Sequence, residues 1–171
     1  MKEGNVGLIL ESYQDLFSDF DPRPISDRSL SVDFLDEAKR ATRDKAEGFE
    51  LNLLVPKKLK SSEKEIIIKK RLKGFFSRHH EEEHKKYRKL VREGVLFIVF
   101  GVILMFSASL ILFYGSESNF FISFMTILLE PAGWFLFWEG LDLLIFETKK
   151  RNSEKIFLDK MVQADINFKS Y

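Results

Sequence analysis

The sequence predicts a mainly helical membrane protein, in which an antiparallel two-helix transmembrane hairpin carries a small cytosolic α/β region formed by both termini. Residues 94–146 contain no Lys or Arg and only four acidic residues, yet they hold ten of the 18 Phe. All 27 Lys+Arg lie outside this stretch. Such a division of charge indicates a chain that meets two solvents. It argues against a soluble monomeric enzyme and a wholly disordered tail, and the lack of Cys excludes a disulfide-stapled module.

Residues 1–61 are expected to form the N-terminal cytosolic α/β segment. The apolar residues within 6–17 are spaced as on one side of a short helix. Pro22 and Pro24 then force a turn, because the residue before a proline is pushed out of the helical region. Ser31 is placed to cap a second helix over residues 32–43. The alternation of apolar residues from Phe49 to Val55 predicts a strand.

Residues 62–93 are expected to form a charged juxtamembrane helix that continues into the first span. No helix breaker separates Ser62 from Tyr114, since a single glycine in a helix costs only about 1 kcal/mol. The alternative is a pair of helices with a bend near residues 74–80.

The stretch from His80 to His84 matches the zinc-binding pattern H-E-x-x-H, so His80 and His84 are the candidate metal ligands. We expect no zinc there, because a run this rich in charge produces the pattern easily and offers no evident third ligand. A solvated helix surface is the favoured interpretation. A pH-responsive or metal-bridging histidine cluster at a subunit interface is the alternative.

Two apolar segments are predicted to cross the bilayer within the hairpin region, residues 94–146. Residues 94–114 cover roughly 31 Å as a helix, which matches a ~30 Å hydrocarbon core. Residues 120–146 cover roughly 40 Å, so the second span must tilt or begin among the headgroups. The short polar connector at residues 115–119 makes the two spans antiparallel.

The orientation follows from cationic residues on both flanks of the hairpin and their absence from the connector. The positive-inside rule therefore predicts a multi-pass protein of the cell (inner) membrane with both termini in the cytoplasm. The same cations are expected to contact anionic lipid headgroups. They are Lys85, Lys86, Arg88, Lys89 and Arg92 before the first span, and Lys149, Lys150 and Arg151 after the second.

Small residues recur at seven-residue intervals in both spans, which places each set on one stripe of its helix. Such stripes let helix backbones approach closely in lipid, with a left-handed, coiled-coil-like crossing. The stripes are expected to face each other within the hairpin; contact between subunits is the alternative. They comprise Gly94, Gly101, Ala108 and Gly115 in the first span, and Thr126, Gly133 and Gly140 in the second.

Glu130, Glu139 and Asp142 form a candidate intramembrane polar site, because ionised carboxylates are costly in lipid and must face protein or water. Glu139 and Asp142 are close enough to the cytoplasmic edge to reach the headgroups. Glu130 precedes Pro131 and is either an ion-pathway residue or, in the favoured interpretation, an N-cap at a broken helix near the outer surface.

Residues 147–171 are expected to form a cytosolic helix followed by a strand that pairs with residues 49–55. A lone two-stranded ribbon is marginal, so packing against helices or neighbouring subunits is expected to complete it. With the small-residue stripes and the acids, this indicates a homo-oligomer.

Three functions remain open from the sequence. The first is a non-enzymatic scaffold or partner-docking subunit that binds the lipid bilayer, its own copies and a cytosolic protein. The second is a small oligomeric channel with acids facing water, and the third is a membrane metalloenzyme that uses the histidines. No cofactor motif is present, and no nucleic-acid partner is expected because Glu81 to Glu83 interrupt the basic patch.

Overall fold

The computed structural model describes residues 5–114 and 120–171. The chain divides into two compact units. The α/β unit contains the N-terminal part of the chain through Glu82, together with Glu154–Tyr171. The hairpin unit contains Glu83–Ser153. The described residues are mostly helical, with a small three-stranded sheet in the α/β unit.

The sheet consists of three parallel strands, β1 (Asn5–Ile9), β2 (Glu50–Val55) and β3 (Asp165–Ser170), in the order β1-β2-β3. The predicted pairing of the C-terminal strand with the strand at residues 49–55 is confirmed. The predicted helix over residues 6–17, however, is wrong.

Residues 6–17 form β1 followed by a short 3₁₀ helix at Tyr13–Leu16. Val6, Leu8 and Leu10 alternate into the core, and this two-residue period prevails over the helical spacing because β2 offers a partner strand. The 3₁₀ helix starts where the Ser12 side chain accepts a hydrogen bond from the Gln14 backbone. The sheet is therefore completed by a third strand and by helices of its own chain, so the strand pairing no longer supports an oligomer.

The helices of the α/β unit pack on one face of this sheet. Helix α1 (Val32–Thr42) begins as predicted at Ser31, whose hydroxyl accepts from the Phe34 backbone. Two further helices contribute their ends: the first turns of α2 (Ser62–Tyr114) and most of α4 (Thr148–Gln163). The Phe76 and Phe157 rings meet edge-to-face with centroids 6.0 Å apart, which joins α2 to α4.

Helix α2 is unbroken over 53 residues. The alternative of two helices separated near residues 74–80 is therefore wrong. Gly74 lies in the middle of a helical turn, where its low helix propensity costs too little to end the helix.

The second long helical segment begins with α3 (Phe120–Asp142), which contains Pro131 in its interior. A π-helical turn at Leu143–Glu147 connects α3 directly to α4. Two of these helical stretches, α2 and residues 120–163, are long and apolar enough to cross a membrane.

Candidate functional site

Helices α2 and α3 pack antiparallel in the hairpin unit through paired glycines. Gly94 lies against Gly140, and Gly101 lies against Gly133. A Cβ atom at Gly101 would sit 2.7 Å from the Gly133 carbonyl oxygen, and one at Gly140 would sit 2.6 Å from the Gly94 carbonyl oxygen. The backbones are thus as close as glycine alone permits.

The next seven-residue step brings Ala108 and Thr126 to this seam, and both are buried. In the structure the two stripes of small residues therefore face each other within one chain. This arrangement, rather than a contact between subunits, accounts for their spacing. Gly115 lies outside the described residues.

The glycine register also sets the level of Glu130 along the hairpin. Continuing from the Gly101–Gly133 contact, Glu130 lies level with Leu104, which is midway between Gly94 and Tyr114. Its side chain is exposed rather than turned towards α2. The interpretation of Glu130 as the N-cap of a broken helix is wrong, because α3 continues through Pro131.

Glu139 and Asp142 lie at the other end of α3, where the same register places Asp142 level with Arg92. Both acids border a shallow recess of about 330 Å³ on the outer side of the helix. Its other walls are aromatic and aliphatic, with Trp138 and Ile145 among them. The three predicted acids therefore do not form one cluster: two share the recess, and Glu130 is separate from them.

Two features lie beside the acids: a π-helical turn that the sequence did not indicate, and a tryptophan pair whose spacing already placed both rings on one side of the helix. The π-helical turn begins directly after Asp142, and such turns often occur at functional positions. The Trp134 and Trp138 rings stack with centroids 6.3 Å apart on the same side of α3. Their four-residue spacing is the sequence signal for this contact.

Three carboxylates partly neutralise the cationic flanks. Glu83 accepts a hydrogen bond from Lys86 at 2.6 Å and from Arg151 at 3.2 Å, so it ties α2 to α4 within the hairpin unit. Lys89 pairs with Glu93 and Lys150 with Glu147. The remaining candidate lipid contacts are exposed: Lys85, Arg88, Arg92 and Lys149.

The sequence interpretation treated Glu83 only as an interruption of the basic patch, whereas the structure makes it a partner of that patch. The hydrogen bond from Lys86, with a further contribution from Arg151, holds the pKa of the Glu83 carboxyl below its ordinary value. The signal available from the sequence was the three-residue spacing of Glu83 and Lys86 on a helix.

The lowered pKa of Glu83 predicts a pH dependence of stability. A carboxyl with a lowered folded-state pKa stabilises the fold fully above its unfolded pKa, which is about 4.3, and loses that contribution as the pH falls through the folded value. We expect Glu83→Gln to lower the unfolding temperature at pH 7. At a pH below the folded-state pKa of Glu83 the substitution should have little effect, because the carboxyl is already protonated there. A thermal unfolding series in detergent at several pH values measures this. Glu82→Gln on the exposed side is the control, and an equal loss at every pH would contradict the prediction.

His80 does not lie on a freely solvated helix surface. Its Nε2 is 2.8 Å from the Asp159 carboxylate of α4, and both side chains are half-buried in the α/β unit. The neighbouring His79 ring stacks on Phe75 with centroids 3.9 Å apart. His84 follows His80 by one helical turn. The favoured interpretation of a solvated surface is therefore wrong for His80, because α4 packs against this part of α2.

Comparison with known proteins gives no assignment: no protein-family model, no curated protein and no solved structure matches this chain.

Proposed function

We propose that this chain is a non-enzymatic membrane scaffold, in which the hairpin unit is a two-span anchor and the α/β unit is a cytoplasmic docking domain. The observation that carries the proposal is that the hairpin has small residues inside and large apolar side chains on its surface. Its glycines meet at the helix contact, while its large apolar side chains point outward. Phe106, Phe113 and Phe135 are 64%, 79% and 68% exposed. Lipid is the solvent that suits such a surface.

The sheet supports a hairpin with both ends on one side of the membrane. β2 precedes the first long apolar helix and β3 follows the second, yet the two strands are hydrogen-bonded neighbours. Two segments in one sheet must lie on the same side of a bilayer. The exposed cations Arg88, Arg92 and Lys149 favour the cytoplasmic side of the inner membrane, where they can contact anionic lipid.

The proposed topology predicts opposite labelling of two introduced cysteines, which are unique because the chain has no Cys. We expect a membrane-impermeant maleimide to label Ser118→Cys in intact cells, since residue 118 belongs to the connector. Ala46→Cys, in the exposed loop before β2, should be labelled only after permeabilisation. Recovery of the protein in the soluble fraction, or the reverse labelling pattern, would overturn the proposal.

Self-association is part of the proposal because of Glu130. An exposed carboxylate at the middle level of a lipid-facing helix is costly unless protein or water shelters it. Another copy or a partner helix on this side of α3 would provide that shelter. The shallow recess beside Glu139 and Asp142 lies nearer the cationic end, where headgroups and lysine side chains can reach it.

The second candidate function is a small oligomeric channel, and the position of Glu130 is the observation that favours it. If several copies turned this face of α3 inward, a ring of carboxylates would line a path at the middle of the membrane. Liposome flux assays separate the two functions. The scaffold predicts no flux above that of empty liposomes, whereas the channel predicts a cation flux that Glu130→Gln reduces at least about tenfold. Glu139→Gln, near the headgroup level, is the matched control.

A further inference from the structure

One face of the three-stranded sheet carries the whole core of the α/β unit. The strands are parallel and follow the order β1-β2-β3, so both crossover connections run in the same direction across the sheet. Right-handed crossovers in one direction place every connecting segment on the same face. Leu51, Leu53 and Ile166 are fully buried there beneath the helices. Parallel sheets are normally covered on both faces, so the other face is unusual.

We call that other face the open face. The strand register places three rows of residues on it, one from each level of the sheet. Its exposed side chains are Ile9, at 70%, and the charged Glu50, Asp165 and Lys169. The rows are Asn5, Glu50 and Asp165 at the strand starts, Gly7, Asn52 and Asn167 in the middle, and Ile9, Leu54 and Lys169 at the strand ends.

Asn52 lies at the centre of the open face, and its side-chain oxygen is buried. It is 5% exposed, and its Oδ1 atom has no partner within the part of the chain that the structure describes. On one side lies Gly7, which has no side chain. On the other side the Asn167 amide donates to Asp165 at 3.2 Å. A buried acceptor without a donor lowers stability, so a donor from outside the sheet would stabilise it.

We propose that the open face packs against the open face of a second copy of this chain, with the strands of the two sheets antiparallel and Asn52 near the two-fold axis. This inference rests on the proposed membrane function, because the hairpin brings the copies together in one bilayer. Packed sheets lie about 10 Å apart, a gap that two facing asparagine side chains can bridge after a rotation of the carboxamide.

The distribution of charge on the open face favours antiparallel stacking over stacking with parallel strands. The strand starts carry Glu50 and Asp165, of which Asp165 also pairs with Lys69 of its own chain at 3.4 Å, whereas the strand ends carry Lys169. Antiparallel stacking places Lys169 opposite Asp165 of the partner subunit. Stacking with parallel strands would instead set the acidic rows against each other, and like charges directly opposed are unfavourable.

The size of the open face explains why the contact needs the membrane. Three strands of five or six residues cover about 14 Å by about 18 Å, or roughly 250 Å² per copy. A stable soluble dimer buries about 800 Å² per partner. Confinement of two anchored copies in one bilayer supplies the effective concentration that so small a contact lacks.

Crosslinking through a single introduced cysteine tests the contact. Gly7→Cys places a thiol on the middle row, where an added Cβ contacts Leu54 at 3.8 Å, an ordinary van der Waals distance. In proteoliposomes of the full chain, a short bis-maleimide should join two copies of Gly7→Cys at least about fivefold more than two copies of Ala46→Cys. Adding Lys169→Glu to Gly7→Cys should lower the crosslinked fraction about fivefold through two symmetry-related charge pairs, whereas Lys169→Arg should not.

Two results would overturn the inference: equal crosslinking at positions 7 and 46, or no effect of Lys169→Glu. Recovery of each variant in the membrane fraction is measured on the same samples. Failure of the crosslink with normal membrane recovery rejects the sheet contact alone, whereas loss of membrane recovery by the unmodified chain rejects the proposed function.

Discussion

Gly101→Ala is expected to destabilise the hairpin unit, whereas the same replacement at Gly74 of the same helix should stabilise the protein. A Cβ at Gly101 would sit 2.7 Å from both the Gly133 carbonyl oxygen and the Phe137 backbone nitrogen. Backbone atoms cannot rotate away as a flexible side chain can, so the helices must separate. Overpacking of this kind costs about 1–3 kcal/mol. At Gly74 no atom of the described residues lies within 4 Å of an added Cβ, and alanine gains up to about 1 kcal/mol of helix propensity.

The two tryptophans provide a local measurement of this difference. Trp134 and Trp138 are the only tryptophans of the chain, and both lie on α3. Thermal unfolding followed by tryptophan fluorescence in detergent therefore reports on the hairpin unit. We expect Gly101→Ala to lower this unfolding temperature by about 5 °C or more and Gly74→Ala to leave it unchanged or higher. A loss of equal size for both variants would contradict the role of the close backbone contact, and a gain for both would show that helix propensity outweighs it.

The seven-residue spacing that predicted the glycine contact was reliable because a helix has only one periodicity to satisfy. Gly94, Gly101 and Ala108 share a stripe whatever surrounds the helix, and an antiparallel hairpin with a short connector brings the second stripe opposite the first. The level of Glu130 could not be predicted in this way. It depends on the register between α2 and α3. This register is set by which glycines of the two helices meet, so neither helix determines it alone.

The N-terminal segment shows that a local sequence pattern does not always determine the secondary structure. Residues 6–17 fit a helical spacing over the whole stretch and a two-residue alternation over its first half, and both patterns place Leu8 on the apolar side. The choice between them was made by β2, more than forty residues later in the chain, which offers hydrogen bonds to β1. Short apolar segments are ambiguous for this reason. The same long-range packing placed Asp159 beside His80, which no local motif indicated.

Phe76→Ala is expected to unfold the α/β unit at a much lower temperature, because this side chain joins the two arms of the chain. Phe76 is fully buried on α2 and packs edge-to-face against Phe157 of α4, which returns from the second long apolar helix. Removing a buried phenylalanine ring costs about 3–5 kcal/mol. In a unit of about 100 residues this lowers the unfolding temperature by more than about 10 °C.

Ile66→Ala on the same helix is the matched control, since Ile66 is 70% exposed and should lose little on truncation. Hydrogen exchange resolved by peptide separates the units: Phe76→Ala should speed exchange in β2 and β3 together while exchange in α3 stays slow. Loss of exchange protection in both β2 and β3 is the decisive result. These strands lie on either side of the hairpin in the chain, so they lose protection together only if both arms fold as one domain. Faster exchange confined to β2 would mean that the C-terminal arm folds without the N-terminal one, and the two arms would then not have to lie on the same side of the membrane.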